Sequence, residues 1–467
     1  MELAKDLAHK KVTLIGLGAR THVALARYLV RRGAQVTISD RKPAVQLQRE
    51  IELLGDLPVR LSLGANRVED ALGADIVFVT PGAPRDIPMV VAARERGIPI
   101  ASEIELLFEV CPAPIVGLTG SSGKSTTTTL VGEILKAAGR RVWVGGNLGI
   151  PLIDRVEEMT PDDWVVLELS SFQLEAMERS PHVAAILNIT PNHLDRHPSM
   201  EHYAEAKRNI IRFQGPADWA VLGYANEITR EYGRTCTARR LYFGVDPIEG
   251  EGAFTAEGAV WLRLNGRTDA VVDLADIQLR GRHNMENVAA AVAVAAAAGV
   301  ESPAMRRAVA AFRGIEHRLE PVREVEGVRF YNDSIATAPE RTLAALRSFH
   351  EPVVLLAGGR DKHLPLDELA RAIKERVHTL VLFGEAADLL QAAMDEVGWP
   401  PPAILRCVGL AEAVPLAAAA ARPGDVVLLS PAFTSYDQFR DFEERGRVFK
   451  ALVEALPASL AEVRRGG

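Results

Sequence analysis

Cysteine is scarce in this sequence, which has three in 467 residues. Cys111, Cys236 and Cys407 lie far apart, and none belongs to a Cys-x-x-Cys pair. Disulfide frameworks and structural zinc sites depend on paired or closely spaced cysteines. The sequence therefore favours a chain kept reduced in the cytoplasm, with no disulfide framework and no structural zinc.

A long apolar segment is also missing. Glu2, Lys5 and Asp6 stand near the N-terminus with no apolar region behind them, so we expect no signal peptide. The most apolar helical stretch, residues 288–300, is largely alanine and too short to span a bilayer. We expect a buried helix there and no membrane partner.

The chain has no excess of positive charge. Its formal net charge is −7, which argues against a general nucleic-acid binder and leaves local basic patches open. Apolar residues make up 48% and charged residues 25%, which is ordinary for a soluble globular protein. The length predicts about three domains. We expect a monomer that acts on small-molecule substrates.

Three regions alternate short β-rich runs with helical patterns, which predicts parallel sheets covered by helices. We expect an α/β protein with a Rossmann-like first domain, a P-loop mononucleotide-binding central domain and a Rossmann-like last domain. These domains are placed at residues 1–102, 103–314 and 315–467. Strands are predicted at residues 12–15, 36–39, 76–79, 115–118, 165–169, 184–189, 328–331, 353–357, 380–383 and 426–429. Helices are predicted at residues 21–32, 126–138, 200–212 and 284–298, and residues 241–279 look antiparallel, with a turn at Asn265-Gly266.

A glycine loop, Thr119-Gly120-Ser121-Ser122-Gly123-Lys124-Ser125, lies between a predicted strand and a predicted helix. Glycines allow the tight turn that points backbone N–H groups at a phosphate, and a helix N-terminus favours an anion. Lys124 would add charge for the outer phosphates, and Ser125 a hydroxyl for magnesium. Leu118 stands where the strict Walker pattern has glycine, so the loop is a variant. A chance Gly-Lys-Ser turn is the alternative, which the strand and helix disfavour.

A second glycine turn, Gly16-Leu17-Gly18, follows the first predicted strand. Asp40 ends the next strand, where a dinucleotide-binding fold places the acid that binds ribose. Thr21 stands where that fold has its third glycine. Three interpretations therefore remain open: a bound dinucleotide, another nucleotide, or a tight turn without a ligand.

Glu168 ends a predicted strand, and His193, Asp195 and His197 cluster farther along the chain. An acid at the carboxyl end of a strand near a phosphate loop is placed to bind magnesium. No further ligand pair has zinc spacing, so we expect no zinc site and interpret His197 as a lone surface histidine. Lys207 lies on a predicted helix, where spacing alone predicts a solvated surface lysine.

Polar groups follow several predicted strands of the third region. They are Asn332-Asp333-Ser334, Gly358-Gly359-Arg360-Asp361-Lys362, and Ser430-Pro431-Ala432 with Ser435-Tyr436-Asp437. The carboxyl ends of parallel strands meet at one edge of a sheet, where open α/β folds bind ligands. The region therefore predicts a ligand-facing edge, with a structural turn as the alternative at any single position.

Taken together, these motifs carry a resemblance to the Mur ligases over all three regions. The matching motifs are Thr119-Gly120-x-x-Gly123-Lys124-Ser125, Gly145-Gly146-Asn147, residues 167–174, residues 192–196, Gly281-Arg282-His283-Asn284 with Asn287, His317-Arg318, Asn332-Asp333-Ser334 with Thr337, and the run of residues 430–446. Several central motifs are shared with folylpolyglutamate ligases. The resemblance implies ATP-dependent ligation of D-glutamate to UDP-N-acetylmuramoyl-L-alanine through an acyl phosphate, a step of peptidoglycan precursor synthesis.

The resemblance also implies roles for the matching residues. ATP contacts would be Gly120, Ser121, Ser122, Gly123, Lys124, Ser125, Thr126, Asn284, Asn287, Arg318 and Asp333. The uridine nucleotide and its sugar peptide would meet Gly18, Asp40, Arg41, Thr80, Pro81, Gly82 and Asn147, and the amino acid would meet Thr337, Lys362, Ser435 and Phe442. Ser125, Glu168, His193 and a Lys207 carbamylated by CO2 would hold two magnesium ions, and Lys124, Glu168, His193 and Lys207 would carry catalysis.

One position departs from the family pattern. Many relatives carry lysine where this chain has Ile335, so a cation near the reacting carboxylates is missing. What compensates for it is left open by the sequence.

Three rival functions also stay open. A folylpolyglutamate ligase shares the central chemistry and lacks a nucleotide-binding first domain. A Mur ligase for another amino acid and a P-loop switch that hydrolyses ATP without an acceptor are the other two. For a ligase, two anions must approach each other, so magnesium and Lys124 should dominate catalysis, and the site should close over its water-sensitive intermediate.

Overall fold

Three β-sheets organise the chain, two in a first unit and one in a second. The computed structural model describes residues 3–18, 21–81, 83–149, 151–193, 196–279, 281–398 and 404–466. The first unit comprises Met1–Gln278 and Arg282–Phe312, and the second comprises Leu279–Gly281 and Arg313–Gly467. The expected α/β class is confirmed. No helix in the described ranges is long and apolar enough to cross a membrane.

The first sheet is entirely parallel. Its strands are β1 (Lys11–Ile15), β2 (Gln35–Asp40), β3 (Val59–Leu63), β4 (Ile76–Val79) and β5 (Ile100–Ala101), with helices α1 (Thr21–Arg31), α2 (Gln48–Leu54), α3 (Val68–Leu72), α4 (Pro88–Glu95) and α5 (Glu103–Val110). The strand order is β3-β2-β1-β4-β5. Strands β2 and β3 lie on one side of β1, and β4 and β5 lie on the other, so the order of the strands reverses between β1 and β4. Open α/β sheets bind ligands at the carboxyl ends of the strands at such a point.

The second sheet holds the phosphate loop. Its strands are β6 (Ile115–Thr119), β7 (Val142–Gly146), β8 (Trp164–Glu168), β9 (Val183–Ile186), β10 (Trp219–Gly223), β11 (Arg239–Gly244), β12 (Gly252–Ala256), β13 (Ala259–Leu264) and β14 (Arg267–Asp273). Its helices are α6 (Lys124–Ala137), α7 (Ser171–Leu174), α8 (Met200–Arg212), α9 (Glu227–Thr235), α10 (Arg282–Ala297) and α11 (Ser302–Ala311). The order is β14-β13-β12-β11-β10-β9-β6-β8-β7. The strands β6, β8 and β9 that flank the phosphate loop are neighbours, so their carboxyl ends meet.

The antiparallel pattern predicted for residues 241–279 is correct for part of that range. Strands β12, β13 and β14 pair antiparallel, and Asn265 and Gly266 turn between the last two with φ of 51° and 75°. Two positive φ values in a two-residue loop match the twist of a hairpin. Strand β11 was wrongly included, since it pairs parallel with both β10 and β12. The link of residues 245–251 returns the chain to the starting end of the sheet before β12 begins.

The alanine-rich helix α10 is buried, as expected. Every residue from Asn287 to Ala297 is buried. Small side chains allow a helix to approach its neighbours closely, and α10 packs on α6 and on the central sheet. This helix therefore supports the element that begins at the phosphate loop.

An ion pair and a continuous apolar core join the first two sheets. The Arg31 guanidinium at the end of α1 donates to an Asp154 carboxylate oxygen over 2.5 Å and to the Asp154 carbonyl over 2.7 Å. Leu25 of α1 and Ile153 belong to the same buried core. The turn that follows β1 therefore belongs to the same packed unit as the phosphate loop.

The second unit contains a mixed sheet. Its strands are β15 (Glu320–Val325), β16 (Val328–Asn332), β17 (Val353–Gly358), β18 (Val377–Phe383), β19 (Ile404–Arg406) and β20 (Val426–Ala432), in the order β15-β16-β20-β17-β18-β19. Its helices are α12 (Pro339–Leu346), α13 (Asp367–Arg376), α14 (Ala387–Glu396), α15 (Leu410–Ala420), α16 (Phe442–Glu454) and α17 (Leu460–Gly466). Among these described strands, β15 alone is antiparallel to its neighbour, so the ends of β16, β20 and β17 meet at one edge.

Gly446 should be required for the packing of α16 in the second unit. A Cβ at this position would overlap Nδ1 of His317, a buried ring that also accepts a hydrogen bond from Asn332 over 2.9 Å. Overpacking of this kind costs about 1–3 kcal/mol. Urea unfolding of Gly446→Ala should show that loss of free energy of unfolding. Arg447→Ala, at the next and exposed position, is the control, and equal stability of the two variants would contradict the prediction.

Candidate functional site

The phosphate loop runs from the end of β6 to the first turn of α6, as the motif predicts. Gly123 caps α6 with a left-handed φ of 80°, and a Cβ there would overlap Oδ1 of Asn287. Any other residue at this position would be strained and would have to displace Asn287. The helix begins at Lys124, so its N-terminal N–H groups face the loop. The structure therefore places the motif between a strand and a helix, the context that the prediction of a phosphate loop requires.

Residues after β9 hold the loop in shape. The backbone N–H of Ser121 donates to the Asn188 carbonyl, and that of Ser122 donates to Asn188 Oδ1, both over 2.9 Å. Ser121 Oγ donates to the Thr190 carbonyl over 2.9 Å and lies 3.0 Å from the Tyr203 hydroxyl. These supporting residues were not predicted from the sequence. Their signal was a polar residue just after an apolar strand, at the edge that carries the loop.

Glu168 lies at the centre of a polar chain beside the loop. It is buried, and its carboxylate accepts from Ser125 Oγ and from Asn147 Nδ2, each over 2.6 Å. The strands β7, β8 and β6 bring the three residues together because their carboxyl ends are adjacent. A hydroxyl and a carboxylate next to a phosphate loop are the oxygen ligands that magnesium prefers. The residues therefore fit a magnesium site.

Lys207 is buried, and the prediction of a solvated surface lysine is wrong. Its amine donates to the Gly120 carbonyl over 2.9 Å and to Thr119 Oγ1 over 3.2 Å. Burial and the nearby charge of Lys124 lower the pKa of Lys207 to about 7, against the opposing charge of Glu168. The amine is therefore partly neutral near physiological pH.

The burial of Lys207 had a signal in the sequence. Tyr203, Lys207 and Ile211 are spaced four residues apart, so they lie on one face of α8, and all three are buried. A lysine in line with an aromatic and an aliphatic residue shares the face that packs on the protein. The helical period of the whole segment therefore carried more information than the residue type.

Two lysine amines share one acceptor at this loop. Lys124 Nζ also donates to the Gly120 carbonyl over 2.9 Å, and to the Ser121 carbonyl over 3.3 Å. Both cations therefore converge on the concavity that the loop surrounds. A bound anion of high charge would be stabilised there.

The two histidines differ in environment. His193 is exposed, with its ring 5.3 Å from that of Phe172, whereas His197 is buried and stacks on Phe172 at 5.0 Å. The prediction that His197 is a lone surface histidine is wrong, because its Nε2 lies 2.9 Å from Ser171 Oγ. Burial lowers the pKa of His197. Asp195 lies outside the described residues.

His197 belongs to a cluster that spacing did not reveal. Its Nδ1 lies 3.0 Å from Nδ1 of His202, whose Nε2 lies 3.4 Å from a carboxylate oxygen of Glu175. One ligand atom from each residue can be chosen so that all lie within 4.8 Å of one another. Glu175 and His202 are exposed, and the cluster holds the segment after His193 against α8.

The start of α10 reaches the other side of the phosphate loop. Asn287 Oδ1 accepts from Thr127 over 3.4 Å, and its Nδ2 donates to Asn284 over 3.0 Å. Thr126 lies buried in the first turn of α6. The predicted ATP contacts of the first unit therefore lie around one loop.

The turns of the first sheet are held by Asp40. Its carboxylate accepts from the Leu17 N–H over 2.7 Å and from the Lys42 N–H over 2.8 Å. Thr80 lies across from Gly16, where a Cβ would come 3.1 Å from its Oγ1. The turn after β1 is thus bonded to the end of β2 and packed on the end of β4.

Other residues predicted to bind the uridine nucleotide lie at the same edge. Gly18, exposed Arg41 and Pro81 follow the ends of β1, β2 and β4 respectively. Gly82 lies outside the described residues. The predicted uridine contacts that the structure describes therefore come together at one edge of the first sheet.

Arg445 organises the corresponding edge of the second unit. It is fully buried and donates to Ser334 Oγ over 3.0 Å, to the Ser334 carbonyl over 2.9 Å and to the Phe433 carbonyl over 3.1 Å. Ser334 Oγ in turn donates to the Phe442 carbonyl over 2.8 Å. Burial lowers the pKa of Arg445 to about 10. The guanidinium thus ties the ends of β16 and β20 to the start of α16.

The predicted amino-acid contacts lie around this frame. Lys362 Nζ donates to Thr337 Oγ1 over 3.3 Å. Ser435 is buried just after β20, and the Phe442 ring lies edge-on to His317 at 6.2 Å. These residues come together in the second unit.

Two residues predicted to contact the nucleotide differ in exposure. Arg318 is exposed, whereas Asp333 is buried and accepts from Ser430 Oγ over 2.7 Å and from the Leu319 N–H over 3.2 Å. Burial raises the pKa of Asp333 to about 7, against these hydrogen bonds and the charges of Arg318 and Arg341. Its carboxyl group is engaged within the protein.

Family models match most of the chain. A model described as the Mur ligase MurD-like N-terminal domain matches residues 10–102, and one described as the Mur ligase middle domain matches residues 118–295. A third, described as the Mur ligase glutamate ligase domain, matches residues 317–433.

Curated relatives match nearly the full length. A UDP-N-acetylmuramoylalanine–D-glutamate ligase of Symbiobacterium thermophilum is 48% identical over 449 residues, covering 96% of this chain and 98% of the relative. A protein of the same name from Acetivibrio thermocellus is 44% identical over 463 residues, covering 98% and 99%. The solved UDP-N-acetylmuramate-alanine ligase of Thermotoga maritima has a TM-score of 0.58 at 20% identity and covers 96% of this chain and 100% of its own, a likeness of fold.

Asp333→Asn should stabilise the protein more at high pH than at low pH. The pKa of Asp333 is about 7 in the folded protein and about 3.9 in the unfolded chain. Protonation of this carboxyl therefore favours the folded state, and that contribution to the free energy of unfolding is present at low pH and is lost as the pH rises through about 7. The introduced amide would keep an acceptor for the Leu319 N–H and would stay neutral. Urea unfolding at pH 5 and pH 8 should show a gain over wild type that grows by up to about 3 kcal/mol. Asp395→Asn, an exposed position of the same unit, is the control, and a gain independent of pH would contradict the prediction.

Proposed function

Because the chain belongs to the Mur ligase family, we propose that it ligates D-glutamate to UDP-N-acetylmuramoyl-L-alanine with cleavage of ATP to ADP and phosphate. Members of this family are ADP-forming amide ligases that use ATP and Mg²⁺. The observation that carries the choice of acceptor is the shared name of the full-length relatives. The nucleotide-linked substrates are water-soluble, so we place the reaction in the cytoplasm. We also propose that the enzyme acts as a monomer.

The phosphate loop is the proposed site of the ATP phosphates. Backbone N–H groups of residues 123–126, at the start of α6, would donate to phosphate oxygens, whereas those of Ser121 and Ser122 are engaged by Asn188. Lys124 would exchange its bonds to loop carbonyls for bonds to the outer phosphates. Asn284 and Asn287 would contact the nucleotide beside Gly123. Arg318 stays a proposed nucleotide contact, and the buried Asp333 is assigned the role of holding the Leu319 N–H and Ser430 Oγ instead.

Two magnesium ions would be held by Ser125, Glu168, His193 and Lys207. When bound, they supply positive charge that allows a phosphate and a carboxylate to approach. The hydrogen bond between Ser125 and Glu168 holds both oxygens beside the loop, where a metal ion could bind them. Asn147 orients the same carboxylate and would also face the sugar peptide.

Lys207 would act as a carbamate. A lysine with a pKa near 7 is partly neutral at physiological pH, and its nitrogen lone pair can attack CO2, forming an N–C bond and releasing a proton. The product is an anion beside Lys124, so carbamylation replaces a repulsion between two cations with an attraction. Its two oxygens would be available to a metal ion.

The reaction would proceed in two transfers. The carboxylate of the bound L-alanyl group attacks the γ-phosphorus of ATP in line, and ADP leaves. The neutral amine of D-glutamate then attacks the acyl carbon, an amide bond forms, phosphate leaves and the amine loses a proton. The uridine nucleotide would be held by Gly18, Asp40, Arg41, Thr80, Pro81 and Gly82, and the amino acid by Thr337, Lys362, Ser435 and Phe442.

ADP release with UDP-N-acetylmuramoyl-L-alanine should depend on D-glutamate in a panel of D- and L-amino acids. A ligase forms product only when an amine can attack the activated acyl group. The measurement is coupled ADP release with chromatographic identification of the product. ADP release that is equal with and without an acceptor would support the P-loop switch, and preference for another amino acid would support a different Mur ligase.

Lys124→Ala should abolish ligation in the same assay. Loss of the amine removes a cation from the phosphates and from the charge that develops during transfer. Arg347→Ala, at the exposed end of α12, is the matched control for loss of one positive charge. Substantial ligation by Lys124→Ala would overturn the assignment of the ATP site.

Lys207→Ala should be nearly inactive and should recover part of its activity when a short carboxylate such as acetate is added. The added anion would replace the carbamate in the space that the side chain leaves. The measurement is the ligation rate against acetate concentration, with wild type and with chloride as controls. Full activity without acetate, or no response to any short carboxylate, would count against the carbamate.

A further inference from the structure

Two cations of the second unit are bonded to neighbouring positions of one segment, residues 335 and 337. Lys362 follows β17 and donates to Thr337. Arg341 lies in the first turn of α12 and is exposed, and its Nη1 donates to the Ile335 carbonyl over 3.0 Å. Both are therefore anchored to the segment that joins β16 to α12.

Their charges act on each other. After burial, the positive charge of Arg341 is the next cause that lowers the pKa of Lys362, with a further contribution from Arg445 and an opposing one from Glu340. Arg341 also acts on the buried Asp333. Cations held this close repel each other unless an anion lies between them. The arrangement suits a ligand with negative charge.

A guanidinium is suited to such a ligand. It carries five N–H donors in a planar fork that matches the two oxygens of a carboxylate. One donor of Arg341 goes to the Ile335 carbonyl, which fixes the group beside residue 335 and leaves other donors for a ligand. Glutamate has two carboxylates at neutral pH, so two cations can each neutralise one.

We propose that Arg341 binds a carboxylate of the incoming amino acid and supplies, from α12, the positive charge that many relatives supply with a lysine at the position of Ile335. The inference rests on the proposed function, because that function defines a dicarboxylic acceptor. Arg341 is thereby a residue that determines acceptor specificity, together with Lys362. The side chain at position 335 no longer needs to carry charge.

Steady-state kinetics of the full chain with D-glutamate varied should test the role of Arg341. Arg341→Ala should raise the KM for D-glutamate at least about tenfold, as expected for loss of a charge-assisted hydrogen bond, with a smaller effect on kcat and none on the KM for ATP. Arg341→Lys should lose less. Arg347→Ala, which removes the same charge from the far end of α12, is the matched control and should keep the wild-type KM.

A rescue separates ligand binding from a structural role. Ile335→Lys introduced into Arg341→Ala should recover a large part of the lost affinity for D-glutamate, because a cation returns to the segment that Arg341 contacts. If Arg341 served only to hold the Ile335 carbonyl, the lysine would not restore it, and the loss would appear in kcat and thermal stability. That result overturns the proposal.

The outcomes for the two proposals can be distinguished. An active wild type with an unchanged KM for D-glutamate in Arg341→Ala overturns the role of Arg341 and leaves the proposed function intact. A wild type that prefers another dicarboxylic amino acid overturns the proposed function, and the same variants are then measured with that acceptor. A wild type that uses no acidic amino acid overturns both.

Discussion

The carbonyl oxygen of Gly120 accepts hydrogen bonds from two lysine amines, and the rest of the candidate site depends on that convergence of charge. Lys124 reaches it from α6 and Lys207 from α8, each over 2.9 Å. Because both cations are held at one loop, burial and repulsion lower the pKa of Lys207, and the loop gains affinity for a polyanion. The neighbouring Glu168, whose carboxylate accepts from Ser125 and Asn147, opposes this lowering of the pKa without reversing it.

In the second unit, a buried cation also holds the ends of strands together. Arg445 has carbonyl and hydroxyl acceptors within the described residues, and these belong to the ends of strands and the start of α16. A buried charge that is satisfied by dipoles requires those dipoles to stay in place. The proposed amino-acid contacts Thr337, Lys362 and Arg341 lie near the frame that Arg445 holds together.

Element types were predictable where a local pattern is strong. Helix α8 occupies the predicted residues 200–212, and strand β4 the predicted residues 76–79, because each has a clear apolar period and clear ends. Strands β5 and β19 were missed because they have only two and three residues, and β7 was missed because it ends in Gly145 and Gly146. The pairing of β11 was wrong because the direction of a strand depends on the path of its link, which leaves no period in the sequence.

By itself, the sequence determined the phosphate loop, the α/β class and the family, because these depend on local spacing of glycine, lysine and apolar residues. Tertiary structure decided the environment of single side chains. Lys207 and His197 are buried, Asp333 is engaged by Ser430 and Leu319, and Arg341 reaches the backbone of Ile335. The period of α8 indicates the burial of Lys207, but its pKa depends on Lys124 and Glu168, which lie far away in the sequence, so no local pattern could have specified it.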